Sequence, residues 1–231
     1  MTTRKIGLLG GTFDPIHCGH LQLAESARVE CKLDKVVFIP SALPPHKNGA
    51  AITSFRHRLA MLTLAGQGVN GFECSAIEDE LAKPSYTIDT LRELLEHYKS
   101  DCQLYFMIGA DAFLDILTWK SHQRVLHSVN FILSRRKGYK ETNLSDLLKK
   151  LGYTSSDGSW CGNDGKKDIY ILEKMPEDIS SSGIRTKIRQ GESVQGLLPK
   201  LVIEYIQKHK LYQSEKAGIV SCGLHDCRDK C

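Results

Sequence analysis

The sequence has no apolar run near the ~18 residues that a membrane-spanning helix needs. Its start, Met1-Thr2-Thr3-Arg4-Lys5, leads only into a short apolar stretch that ends in glycines. No membrane span is therefore expected, and the protein is expected to be cytoplasmic. No C-x-x-C spacing occurs among Cys18, Cys31, Cys74, Cys102 and Cys161, and a chain of 231 residues does not need disulfide staples, so these read as free thiols. Strong charge of one sign is also lacking. The 31 Lys+Arg against 27 Asp+Glu leave a formal charge of +4, which suits anionic small molecules and excludes the aromatic-studded basic stripe of a nucleic-acid binder. There is no internal repeat and no low-complexity tract. What remains is ordinary globular usage, with 41% hydrophobic and 25% charged residues. The length prior of 231/150, roughly 1.5, favours one large domain.

Hydrophobic periodicity orders that domain. Lys5-Ile6-Gly7-Leu8-Leu9 running into Gly10-Gly11 reads as a buried strand ending in a tight loop. A helix is expected from Gly19 to about Cys31, and Val36-Val37-Phe38-Ile39 reads as a second strand stopped by Pro40. Helices at about Ser54–Ala65 and Tyr86–Tyr98 follow, then strands at Leu104–Ile108 and Val129–Leu133. Such alternation predicts a doubly wound, mainly parallel α/β sheet covered by helices on both faces. The Gly-, Ser-, Asp- and Asn-rich stretch from Gly152 to Lys167 is expected to be a surface loop before a strand at Ile169–Leu172. Helices then fit about Ser181–Gln190 and Leu198–His209. Periodicity stops after Tyr212, giving one domain over 1–212 and a flexible tail over 213–231. In that tail Cys222, His225, Cys227 and Cys231 match no standard two-plus-two zinc spacing, so exposed thiols are expected there.

In an open α/β sheet, ligands sit beyond the carboxyl ends of the strands, so the loop after the first strand comes first. It reads Gly10-Gly11-Thr12-Phe13-Asp14-Pro15-Ile16-His17-Cys18-Gly19-His20. Adjacent glycines allow close backbone approach, the helix start offers N–H groups and a positive dipole end, and two imidazoles three residues apart project alike. The loop matches neither G-x-G-x-x-G nor G-x-x-x-x-G-K-[ST], so it predicts neither a hydride-transfer cofactor nor a P-loop. Spacing alone leaves three readings open: a polar strand-to-helix turn, a metal pair with Asp14 as third ligand, and a phosphate site. Near the other end, Ile179-Ser180-Ser181-Ser182-Gly183-Ile184-Arg185 reads as a serine-capped helix whose arginine can fork onto phosphate oxygens, or as a plain capped helix with a surface Arg.

Taken together, G-G-T-F-D-P-I-H-x-G-H and I-S-S-S-G-I-R resemble the two hallmarks of the (T/H)-x-G-H nucleotidyltransferase superfamily, with Ser182 in place of the usual Thr. Further segments resemble its bacterial nicotinate mononucleotide adenylyltransferase family: Pro44-Pro45-His46-Lys47, Pro84-Ser85-Tyr86-Thr87-Ile88-Asp89-Thr90-Leu91, Ile108-Gly109-Ala110-Asp111, and Trp119. The resemblance covers about residues 4 to 212. It implies transfer of the adenylyl group of ATP, with Mg²⁺ on the triphosphate, to nicotinate mononucleotide, giving nicotinate adenine dinucleotide and pyrophosphate. No nucleic acid or membrane is implied as a partner, and a homo-oligomer stays open.

The resemblance gives His17, His20 and Arg185 catalytic roles. Gly10, Gly11, Thr12, Phe13, Gly109, Asp111, Ser181, Ser182 and Ile184 fall to ATP, and Asp14, His46, Lys47, Thr87, Ile88, Trp119 and Arg136 to the acceptor, with Trp119 stacking on the pyridine ring. No protein metal site is implied. Lys120, beside Trp119, departs from the aromatic that other members can carry there. The alternatives are a sibling enzyme with nicotinamide mononucleotide or another phosphate acceptor, and a catalytically silent nucleotide binder.

Overall fold

A computed structural model describes residues 3–43, 52–81, 86–135, 141–156 and 158–213. The strands are β1 (Arg4–Gly11), β2 (Lys35–Pro40), β3 (Phe72–Cys74), β4 (Cys102–Gly109), β5 (Asn130–Ser134), β6 (Tyr153–Ser156), β7 (Ser159–Gly162) and β8 (Ile169–Ile171). They form one sheet in the order β3-β2-β1-β4-β5-β8-β7-β6. Pairing is parallel from β3 through β8 and antiparallel at β8-β7 and β7-β6. The expected doubly wound, mainly parallel sheet is what the chain builds.

Its covering follows from the strands themselves. In β2, Val37 and Ile39 join one core while Val36 and Phe38 join the other. In β4, Phe106 and Ile108 face the first and Tyr105 and Met107 the second. Successive side chains of a strand point to opposite faces, so a run that is apolar at every position needs cover on both. The first core is covered by α4 (Thr87–Tyr98), α5 (Ala110–Leu114), α6 (His122–Ser128) and α7 (Glu141–Lys150), through residues such as Leu91, Phe113, Val125 and Leu148. The second lies under α1 (Cys18–Glu30), α2 (Phe55–Gly66), α8 (Ser181–Gln190) and α9 (Lys200–Lys208), through Ala24, Met61, Ile184 and Val202. A short helix, α3 (Ile77–Glu80), follows β3.

The stretch from Gly152 to Lys167 is not the plain surface loop expected. It contains the β6–β7 hairpin, in register Tyr153↔Gly162 and Ser155↔Trp160. One buried aromatic in each strand, Tyr153 and Trp160, pins the hairpin to the first core, while the polar residues between them hide the alternation. The strand β3 and the helices α3, α5, α6 and α7 are additions to the expected set. Cys18, Cys31, Cys74, Cys102 and Cys161 are free thiols. Among the described residues no helix is long and apolar enough to cross a membrane.

Candidate active site

The loop from β1 into α1 is shaped by rings. Phe13 has φ +50°, a left-handed conformation that costs a non-glycine residue ~1–3 kcal/mol. Its buried ring holds it there. The ring packs edge-on against His20 (5.0 Å, 76°) and Phe38 (6.0 Å, 63°). A Cβ at Gly11 would stand 3.0 Å from the same ring, so Gly11 is needed for that ring to lie down.

The two imidazoles stack at 3.6 Å and 22°. The His17 backbone N–H donates to His20 Nδ1 at 3.3 Å, which leaves the proton of the neutral His20 ring on Nε2. Gly19 lets them meet the next element, because a Cβ there would lie 3.1 Å from the Glu177 carbonyl and 3.2 Å from His17 Nδ1.

The start of α8 closes over this pair. Ser180 is its N-cap and accepts from the Gly183 N–H at 3.1 Å. A side chain at Gly183 would crowd that cap, with its Cβ 3.0 Å from Ser180 Oγ. Ser181 Oγ donates to the Pro15 carbonyl at 2.9 Å, and Arg185 Nη1 donates to the Asp14 carbonyl at 2.7 Å, so two bonds tie α8 to the β1 loop. Between them lies a cavity of about 410 Å³ lined by Gly10, His17, His20, Gly109, Ser180, Ser181, Ser182 and Arg185 among others. A second cavity, of about 370 Å³, is lined by Ser41, Glu78, Tyr86, Thr87, Trp119 and Lys120, and Ala112 belongs to both walls. Both are in the size range of small-molecule sites. The first opens at the carboxyl ends of β1 and β4, the switch point where consecutive strands depart to opposite sides of the sheet, and the second lies beside it, beyond the end of β2.

A family model described as cytidylyltransferase-like matches residues 8–187. The chain belongs to the cytidylyltransferase-like family. Within that family it is 44% identical over 211 residues to a Desulfotalea psychrophila protein named "Probable nicotinate-nucleotide adenylyltransferase", covering 90% of this chain and all of that one. A Thermoanaerobacter protein of the same name is 41% identical over 212 residues, covering 92% and 96%. The Plasmodium falciparum nicotinic acid mononucleotide adenylyltransferase complexed with NaAD has the same fold, with a TM-score of 0.67 at 20% identity over 90% of this chain and 97% of that one. The family resemblance carried by the two motifs is borne out.

The remaining expected site residues take varied positions. Thr87 opens α4 and lines the second cavity, while Ile88 points into the core. The first intrahelical bonds begin at the Asp89 and Thr90 amides, which leaves those of Thr87 and Ile88 at a positive helix end. Trp119 is half-buried, one edge against Phe106 at 6.3 Å and 83°, and lines the second cavity. Asp111 is exposed in the first turn of α5 after Gly109, and Ile184 is a core residue. The Thr12 carbonyl accepts from Arg58 rather than facing either cavity. His46, Lys47, Arg136 and the four tail ligands Cys222, His225, Cys227 and Cys231 lie outside the described residues.

Asp14 is not a third metal ligand. Its carboxylate is 3% exposed and accepts from the Tyr212 hydroxyl at 2.6 Å and the Thr53 N–H at 3.4 Å. Among the described residues no group of three or more His, Cys, Asp or Glu could hold an ion.

Several residues of the site were not anticipated. Arg58 is fully buried on α2 and donates to the carbonyls of Thr53 (2.9 Å), Thr12 (2.8 Å) and Ala42 (3.4 Å), which joins the loops after β1 and β2. Burial pulls its pKa below the usual guanidinium value, and Asp14 leads the charges that oppose this. Its signal was present: Arg58 shares a helix face with Met61, Leu62 and Ala65, where a charge is out of place. Glu78 accepts from the Ala42 N–H and from Thr90 Oγ1, both at 3.1 Å. Lys120 Nζ lies 3.0 Å from Asp89 Oδ2 and 4.3 Å from the centre of the Tyr86 ring, on the wall of the second cavity.

Proposed function

We propose that the chain transfers the adenylyl group of ATP to nicotinate mononucleotide, releasing pyrophosphate and forming nicotinate adenine dinucleotide for NAD biosynthesis in the cytoplasm. The observation that carries this reading is the pair of cavities meeting at Ala112, one lined by histidines, serines and an arginine, the other by a helix start and an indole face. ATP occupies the first and the pyridine half of the acceptor the second. The relatives named above support the choice of donor and acceptor.

In the reaction an oxygen of the acceptor's 5′-phosphate forms a bond to the α-phosphorus of ATP, and the bond from that phosphorus to the bridging oxygen breaks, the electron pair leaving with pyrophosphate. The attacking phosphate is already anionic at neutral pH, so no protein base and no covalent intermediate are required. Positioning and charge stabilisation supply the rate. His17, His20 and Arg185 stand where donors can meet the oxygens around the α-phosphorus, and the capped start of α8 adds backbone N–H groups and a dipole. Gly10 and Gly109 admit the nucleotide beside the strand ends. Thr87 and Ile88 offer their amides to the nicotinate carboxylate, and Trp119 offers its face to the ring.

The lining of the donor cavity fits a divalent cation that arrives on the triphosphate, since His17, His20, Ser180, Ser181, Ser182 and Arg185 provide donors for phosphate and, among the described residues, no group of three or more His, Cys, Asp or Glu could hold an ion. We take that cation to be Mg²⁺. When bound, it neutralises triphosphate charge.

The test is a coupled pyrophosphate assay with the nicotinate and nicotinamide mononucleotides side by side. Amides that await an anion are poorly matched to a carboxamide, so the acid is expected to be favoured in kcat/KM by about 5- to 150-fold, or ~1–3 kcal/mol. Equal use of both would reassign the chain to a broader acceptor class, and no pyrophosphate with either would leave a sibling with another phosphate acceptor or a silent nucleotide binder.

A further inference from the structure

The polar node behind the donor cavity contains side chains that the mechanism does not use, Tyr212 among them. Tyr212 follows α9 at the C-terminal end of the described fold, yet its hydroxyl donates to Asp14 Oδ1 at 2.6 Å across 198 positions of sequence. The other carboxylate oxygen of Asp14 accepts from the Thr53 N–H at 3.4 Å. The backbone carbonyl of the same residue accepts from Arg185 Nη1 at 2.7 Å, whereas Arg185 comes no nearer than 3.9 Å to the carboxylate. The guanidinium is therefore located by the Asp14 carbonyl more than by its charge. One of its five N–H donors is used there.

The backbone around Tyr212 is consistent with a held position. Tyr212 has φ +62° and Lys210 φ +52°, left-handed conformations that side-chain-bearing residues seldom take and that persist where surrounding contacts impose them. Burial, with the bond to Asp14 as second cause, also raises the tyrosine pKa far above the usual phenol range, so the hydroxyl stays a proton donor at any working pH.

We propose that Tyr212 is a positioning residue for adenylyl transfer: by holding the Asp14 carboxylate it fixes the carbonyl that anchors Arg185, so the C-terminal end of the fold sets where the guanidinium stands against the α-phosphorus. The inference rests on the proposed reaction. A charge-assisted bond in a buried node constrains Asp14 in both its side chain and its peptide. Without the hydroxyl, Asp14 relaxes, the carbonyl shifts, and Arg185 remains near the triphosphate but off its transition-state position. Ground-state attraction for ATP survives such a shift better than transition-state alignment does.

The experiment uses the full chain with Tyr212→Phe, in the wild-type and in the Arg185→Lys background, measuring kcat, ATP KM and melting temperature. In the wild-type background kcat is expected to fall about 10-fold while ATP KM moves less than about threefold. With Lys at 185, which cannot reproduce the guanidinium's anchored geometry, the same substitution is expected to cost less than about twofold in kcat. A merely structural tyrosine would lower the melting temperature and leave kcat unchanged, or lower kcat equally in both backgrounds; either result overturns the proposal. If Tyr212→Phe does not fold at the assay temperature, Asp14→Asn, which keeps the anchoring carbonyl and weakens the bond from Tyr212, replaces it under the same criteria. Wild-type protein that releases no pyrophosphate defeats the proposed reaction instead, and that control is read first.

Discussion

The cavity proposed for ATP takes most of its polar lining from two stretches, 17–20 and 177–185, while the cavity proposed for the acceptor takes one to three residues at a time from the end of β2, α3, the start of α4, α5 and the turn at Trp119. On the donor side, helix starts and backbone groups are cross-tied by short bonds, Ser181 to Pro15 and Arg185 to Asp14. On the acceptor side, side chains are held by partners from separate segments, as Lys120 is by Asp89 and Glu78 by Ala42 and Thr90. The first construction leaves little room for piecemeal change, since each member locates another. In the second, a change at one position such as Lys120 would alter one wall and leave the rest standing. On the proposed reaction, the adenylyl chemistry falls to the first kind of site and acceptor choice to the second.

The sharpest break of this contrast is at the histidine pair. His20→Ala is expected to lower kcat by about 10²–10³, or ~3–4 kcal/mol, with ATP KM changing far less, because a donor that meets developing charge favours the transition state over the ground state. His17→Ala should act similarly. Steady-state kinetics on protein shown to be folded by circular dichroism checks both. A folded His20→Ala enzyme with near wild-type kcat would remove the basis for the donor-side mechanism.

A smaller and differently distributed effect is expected at Trp119. Loss of ring stacking is worth ~1–3 kcal/mol, so Trp119→Ala should raise the acceptor KM by about 5- to 150-fold while ATP KM stays within about twofold. If the ATP KM rises more than that of the acceptor, Trp119 supports the fold through its Phe106 contact and the two cavities are not independent.

The smallest effect should come from the far C-terminus. Hydrophobic periodicity ends at Tyr212, so removing residues 213–231 is expected to change kcat by less than about twofold. Metal analysis of protein purified under reducing conditions provides the contrary outcome, which is stoichiometric zinc lost together with activity on truncation. Cutting before Tyr212, by contrast, should reproduce the defect of Tyr212→Phe.

Much of this was legible in one dimension. The continuous apolar runs of β1, β2, β4 and β5 announced strands buried on two faces, and the helix at Ser181–Gln190 begins and ends where its serines and Gly191 place it. The helix α7 carries a readable signal in Leu144, Leu147 and Leu148, which meet the core on one face. The strand β3 offered almost none: three residues, Phe72-Glu73-Cys74, become a strand because β2 presents a parallel edge to them. The β6–β7 hairpin was hidden because only Tyr153 and Trp160 face the core among otherwise polar neighbours.

The order of residues suffices for the layered sheet and the two motifs, since apolar periodicity and helix capping act over a few residues and are written in adjacent letters. It also placed the histidine pair three residues apart, where one helix turn brings the rings together. The contacts of the individual motif residues emerge only once the chain is packed. Gly11 makes way for a phenyl ring, Asp14 is clasped by Tyr212 and Thr53, and Arg58 ties the loops after β1 and β2 from inside the core. Those bonds join positions up to 198 residues apart. Their formation depends on burial, which strips water from a polar group and obliges it to find whatever partner the finished fold has brought within reach.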